Sequence, residues 1–195
     1  MMECALKEGR EVGDGIDFMS FIDLLLTKLT LEDLNADPVN LITIIEPFSY
    51  LCLFNTDTAY ELMVSYVQTA TNVIAQCNRG ICEISQSEWK EAAKRGCWVI
   101  ITSAEIMRIQ KRKINNEEEE NLQEIDIMLL GSIFKLYHQL QAPRECILHE
   151  DFSYIYSKLD YFQSALMIFF KEFTKVYFKS KKVPVEITDL VCSSK

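Results

Sequence analysis

Five consecutive apolar residues, Cys97-Trp98-Val99-Ile100-Ile101, lie in the middle of a long stretch whose ends are charged and whose apolar spacing is helical. Wound at 3.6 residues per turn, they put apolar side chains on every side of the rod. A helix that is apolar all round is normally enclosed by others. The chain is therefore expected to build its core around this stretch, with the remaining segments wrapped about it.

Those segments read as amphipathic helices. Between Ile16 and Leu29 apolar residues recur at Phe18, Ile22, Leu25 and Leu29, and Thr30 to Leu34 reads as a short helical turn. Asp37-Pro38 is a start signal, a capping side chain followed by a residue whose fixed φ suits the first helical position. This second helix should reach about Phe54, with a kink or break near Glu46 imposed by Pro47. From about Asp57 to Gln76, Leu62, Met63, Tyr66, Val67, Ala70, Val73 and Ile74 share one face, and Thr58 and Glu61 have capping-box spacing at its start. The central helix opens with a second capping box, Ser85-x-x-Glu88, and runs to about Lys113. Glu117 to Glu120 reads as the first turn of a fifth helix, where negative charge meets the positive end of the helix dipole. That helix should continue to about Gln141. The sixth, from about Asp151 to Lys181, is the longest, and Pro184 closes it.

Six helices without strand alternation define an all-α fold, a single globular bundle of about six helices around helix four. A short irregular HEAT- or armadillo-like array is the alternative arrangement. Residues 1–15, with Gly9, Gly13 and Gly15 among charges, read as a flexible leader, 16–184 as the helical domain and 185–195 as a C-terminal tail. Only 6 Gly and 4 Pro among 195 residues argue against many short strands and turns. No sequence period repeats. No apolar run approaches the ~20 residues of a membrane span; the nearest, Ala165 to Phe170, is stopped by Lys171.

The net charge of −9 disfavours direct nucleic-acid binding, which needs basic surface to displace counterions. The charge is uneven, −8 over residues 1–100 and −1 over residues 101–195, so the second half carries the basic surface. Seven cysteines form an odd set with no CxxC pair, which points to reduced thiols in a cytoplasmic or nuclear protein.

Catalysis needs polar groups gathered around a base that titrates near neutrality. The sharpest candidate is Cys146-x-x-His149, which could be half a zinc site or a thiol–imidazole pair. It has no second ligand pair at metal spacing, and it reads as a loop cysteine beside a histidine at a helix start. His138 falls on the polar side of helix five and reads as a surface residue. Gly-rich phosphate loops, a GxSxG elbow and the HExxH motif are absent. No catalytic residue, metal ligand or cofactor site is expected.

Helix six carries the clearest functional signal. Ile155, Leu159, Phe162, Leu166, Phe169, Phe173, Val176 and Tyr177 fall in an arc of roughly 120° facing the core. Nearly opposite stand Lys171, Lys175, Lys179 and Lys182, interleaved with Tyr154, Tyr161, Ile168 and Phe178. Aromatic anchors dominate binding energy, and lysines steer an acidic partner and set its register. The expectation is a non-catalytic adaptor or complex subunit that docks an acidic or amphipathic protein segment along this helix; a homo-oligomer is compatible with the sequence. A second reading is a groove regulator of cell death or innate signalling, with a Bcl-2-like bundle that binds an amphipathic helix. The Asn-Trp-Gly-Arg signature of that family is absent, and Arg95-Gly96-Cys97-Trp98 does not reproduce it.

Overall fold

The computed structural model describes residues 18–30, 33, 38–79, 84–114, 127–142 and 153–178, some of them by backbone alone. The leader, the acidic run Glu117–Glu120, Cys146, His149 and the C-terminal tail lie outside the described residues. The described chain is all α: α1 (Phe18–Lys28), α2 (Pro38–Phe54), α3 (Thr56–Asn78), α4 (Gln86–Ile114), α5 (Ile127–Gln141) and α6 (Ser153–Phe173), the last continued by a π-helical turn at Thr174–Phe178. No strand occurs among the described residues.

The core forms around α4 as its sequence demands. Every residue from Gly96 to Met107 is buried, twelve in succession, including Thr102, Ser103 and Glu105. α6 packs along α4 most extensively, and α3 and α2 cover other sides. α5 lies against α3, where Asn78 Nδ2 donates to the Gln139 carbonyl oxygen at 2.8 Å. α5 reaches α6 through rings: Phe134 meets Phe170 and Phe173 edge-on at 5.6 and 5.5 Å, and Tyr137 meets Phe170 at 5.2 Å. The arrangement is a bundle with one enclosed rod.

Gly96 decides how closely three helices meet. A Cβ at this position would stand 3.0 Å from Ala70 Cβ of α3 and 3.0 Å from Phe162 Cε1 of α6. Both contacts are tighter than ordinary van der Waals packing, so the missing methyl is what lets α3 and the Phe162 ring close on α4. The ring of Trp89 lies 6.3 Å from that of Phe162 and extends this contact towards the start of α4.

The capping box that opens α4 is complete. Glu88 N–H donates to Ser85 Oγ at 3.2 Å, and Glu88 Oε2 accepts from Ser85 N–H at 2.9 Å and from Ser85 Oγ–H at 2.7 Å. The same reciprocal pattern joins Thr30 and Asp33 in the expected turn after α1, where Thr30 N–H and Oγ–H donate to Asp33 Oδ2 at 2.7 and 2.8 Å.

Three local expectations are corrected. α3 starts at Thr56, within a residue of the expected start, but with Asn55 as its N-cap and no side-chain cap bond. Thr58 therefore lies inside the helix, and its spacing to Glu61 caps nothing. Of the kink or break expected at Pro47, the break does not occur: α2 is helical from Pro38 to Phe54. Leu41, Ile45, Phe48, Ser49 and Cys52 are buried on one side of α2, while Pro47 and Thr43 stand on the exposed side, where a carbonyl without its helical donor can be hydrated. Finally, His138 is half-buried, with Nε2 enclosed, and is not a surface residue.

Candidate protein-interaction surfaces

The inner face of α6 is as expected. Leu159, Phe162, Leu166, Phe169, Phe173 and Tyr177 are buried, and Val176 packs against them half-buried. Each fully enclosed phenylalanine contributes about 1.5–3 kcal/mol of transfer free energy, so this face is committed to α4.

The outer face divides the docking residues read from the sequence into three groups. Lys171 is exposed. Tyr161 and Ile168 are half-buried and packed against the core, so only part of each side chain reaches solvent. Lys175 is half-buried, and its ammonium donates to Glu172 Oε1 at 2.6 Å, an i,i+3 pair within the same helix. For Tyr154 and Phe178 the backbone is helical but the side chains lie outside the description, as do Lys179 and Lys182 altogether. Among the described side chains, the exposed stripe of α6 and the turn that continues it consists of Asp160, Gln163, Ser164, Met167, Lys171 and Thr174, with Met167 at 74 % exposure in its middle. Met167 escaped the sequence reading because it sits in an apolar run with the core positions Leu166 and Phe169.

The Lys175 pair belongs to a polar seam where α2, α4 and the end of α6 converge. Arg108 grips Glu105 with two bonds, through Nε and Nη2, and its Nη2 lies 3.9 Å from Glu46 Oε1 on α2. The hydrogen bonds that it donates to Glu105 lead the causes that hold the guanidinium in its charged form. Lys111 Nζ donates to the Lys175 carbonyl oxygen at 3.3 Å. Glu105 is buried, and a buried carboxylate is tolerated only when paired in this way. The basic end of α4 thus closes the bundle at Arg108 and Lys111.

A cleft of about 690 Å³ opens between α3 and the first half of α4, with Thr69, Val73, Gln76, Glu88, Glu91 and Arg95 among its walls. Its charges are engaged inside the chain. Arg95 Nε donates to Glu91 Oε1 at 2.8 Å, Arg95 Nη2 lies 3.1 Å from Asp23 Oδ1, and its guanidinium stacks 4.8 Å from the centre of the Tyr66 ring. Tyr66 Oη–H donates to the same Asp23 oxygen at 2.6 Å. Burial, followed by this hydrogen bond, pushes the Tyr66 phenol upward. Burial also pushes the Glu91 carboxyl up, but hydrogen bonds from Lys94 and Arg95 outweigh it and hold the group below the usual carboxylate range. Hydrogen bonds from Ser85 do the same for Glu88. The network ties α1 to α3 and α4; Glu91 and Arg95 are ion-paired, and Glu88 is held by Ser85. Arg95-Gly96-Cys97-Trp98 is accounted for by this ion network, by the helix crossing and by two enclosed core side chains.

Among the described residues, no group of three or more His, Cys, Asp and Glu side chains is placed to hold a metal. Cys52 and Cys97 are free thiols in the core; burial pushes Cys52 up to about 12 and Cys97 well above its ordinary value. No described helix is long and apolar enough to cross a membrane.

A groove of about 290 Å³ lies between α1 and α2, lined by Leu25, Leu29, Ile44, Pro47, Phe48 and Leu51 together with Thr43. Beside it Leu24, Tyr50 and Phe54 are exposed. Sequence reading passed over this surface, although α2 carries a signal: Glu46 is its one charged residue among 17.

No curated protein and no solved structure matches the chain. A family model described as exportin-7-like, TPR domain, matches residues 25–186 and so spans α2 to α6 and the last turn of α1. An all-helical chain whose match covers well over half its length, and whose surfaces are helix faces and inter-helix grooves, is a helical-repeat type of protein-interaction module: it belongs to the exportin-7-like TPR domain family.

Proposed function

We propose that the chain is a non-catalytic interaction module that docks a protein segment along the outer face of α6. The observation that carries this reading is the exposed stripe through Met167 and Lys171, flanked by the partly accessible Tyr161 and Ile168, on the helix whose opposite face is locked into the core. A rigid helix with an unbranched, polarizable methionine at the centre of its outer stripe suits an amphipathic partner segment, and Lys171 selects acidic residues at its edge. Tyr154, Phe178, Lys179 and Lys182 would extend the strip at both ends. Lys175 would contribute little, because its charge is already paired with Glu172. The family description names an exportin, which supports a setting in nucleocytoplasmic transport, in the cytoplasm or nucleus.

The test is Met167→Glu combined with Lys171→Glu in the full chain. Both positions are exposed, so helicity and melting should be unchanged, while proteins captured from cytosolic and nuclear extracts by the wild type should be lost. Capture of the same proteins in equal amount by the double variant would refute docking on α6.

A further inference from the structure

The exposed stripe of α6 carries a pattern that specifies its partner. Asp160, Ser164, Met167 and Lys171 are spaced four, three and four apart, the spacing of the row that one helix presents to another. All four are exposed. The ends of the row bear opposite charges, 11 residues or about 16 Å apart along the helix. Among the described residues neither charge has an ion-pair partner, in contrast to Lys175 on the turn that continues the helix. Between them stand a small residue, Ser164, and a long apolar one, Met167, which is 74 % exposed. Half-buried Tyr161 and Ile168 line one flank of the row, and Gln163 lines the other.

Resting on the reading of α6 as the docking face, we infer that its occupant is an amphipathic helix of another protein, antiparallel to α6. From its N-terminus that helix reads acid-x3-small-x2-large apolar-x3-base. Each position follows from what it meets. The acidic residue faces Lys171 and the basic residue faces Asp160, since like charges there would repel. The small residue makes room for Met167, and the large apolar one fills the space over Ser164, as a knob enters a hole. Direction follows from the helix dipole, which favours an acidic residue near a helix N-terminus and a basic one near its C-terminus. A partner with its charges so placed brings its acidic end to Lys171 only when it runs against α6. α6 has the same pattern in its own four residues, but each copy of the chain carries −9 and two copies repel, so the occupant is a foreign helix.

The probes are two fluorescent synthetic helices, one with Glu, Ala, Leu and Lys at the four positions and one with its Glu and Lys exchanged. Each is titrated with the full chain and followed by anisotropy. The first should bind about tenfold more tightly at low salt, and the preference should narrow as salt is added. In Asp160→Lys combined with Lys171→Glu the order of the two probes should reverse, with circular dichroism unchanged because both positions are exposed. No binding of either probe, equal binding of the two, an unchanged order in the charge-exchanged variant, or a dimer of the chain in sedimentation that Met167→Glu dissociates would each overturn the proposal. Equal binding of the probes, with capture still lost in Met167→Glu combined with Lys171→Glu, would remove this pattern and leave α6 as the docking face, so the two failures are separable.

Discussion

Gly96 stands where α3, α4 and α6 cross, and its importance comes from what it lacks. Replacing it with alanine puts a methyl 3.0 Å from both Ala70 Cβ and the Phe162 ring. Alanine favours helix over glycine by about 1 kcal/mol, which offsets part of the damage. The overpacking of a fully enclosed crossing costs about 1–3 kcal/mol and wins, because Ala70 Cβ is fixed to the backbone of α3 and the Phe162 ring is enclosed on every side. Gly96→Ala should therefore lower the urea midpoint with an unchanged denaturant slope; an equal or higher midpoint would show that the crossing has room to spare. The polar residues of the core follow a simpler rule. Ser49 and Ser103 donate to the carbonyls of Ile45 and Val99 four residues back, at 3.1 and 2.8 Å, and so remain satisfied without a partner helix.

The helices show how far local signals reach. In α2, Pro47 removes one backbone donor and its ring crowds the preceding turn, yet the helix continues, held by the buried row from Leu41 to Cys52. Because Pro47 faces outward, Pro47→Ala creates no cavity. It should raise stability by about 1–2 kcal/mol, less than the full propensity difference because proline also restricts the unfolded chain. A thermal melt that does not rise would mean that α2 has adapted around the ring. In α4, Glu88 and Glu91 titrate below the ordinary carboxylate value of 4.5. A depressed folded-state value means that the native state binds fewer protons than the unfolded state, so this stabilisation is complete above about pH 4.5 and is lost as the pH falls through the folded values. Glu91→Gln should lower stability near neutrality and flatten its fall on acidification, seen as converging urea midpoints when wild type and variant are compared from about pH 7 to about pH 3. Parallel curves would remove Glu91 from the linkage.

In the whole molecule, α4 is the shared support. α2, α3 and α6 each lay one face on it, so each keeps an outer face whose chemistry is independent of the core. The outer face of α6 is polar with Met167 at its centre, and that of α2 is free of charge with Phe54 projecting.

The enclosed rod was legible in the residues themselves, because five apolar side chains in succession leave a helix no face to give to water. So were the Ser85–Glu88 box and the inner faces of α3 and α6, which rest on helical periodicity and bonds between near neighbours. The continuity of α2 through Pro47 and the burial of His138 were not, since each depends on what a neighbouring helix covers. The docking strip shows the same division. Periodicity could put Tyr161, Ile168, Lys171 and Lys175 on the outer side of α6, but only the packed structure divided that side into partly covered Tyr161 and Ile168, paired Lys175 and exposed Met167 and Lys171. Sequence alone determined which helices form and which stripe of each is apolar, through spacing along one chain. Tertiary structure decided which apolar stripes are covered and which stay open to a partner, because coverage is set by contacts between residues far apart in sequence.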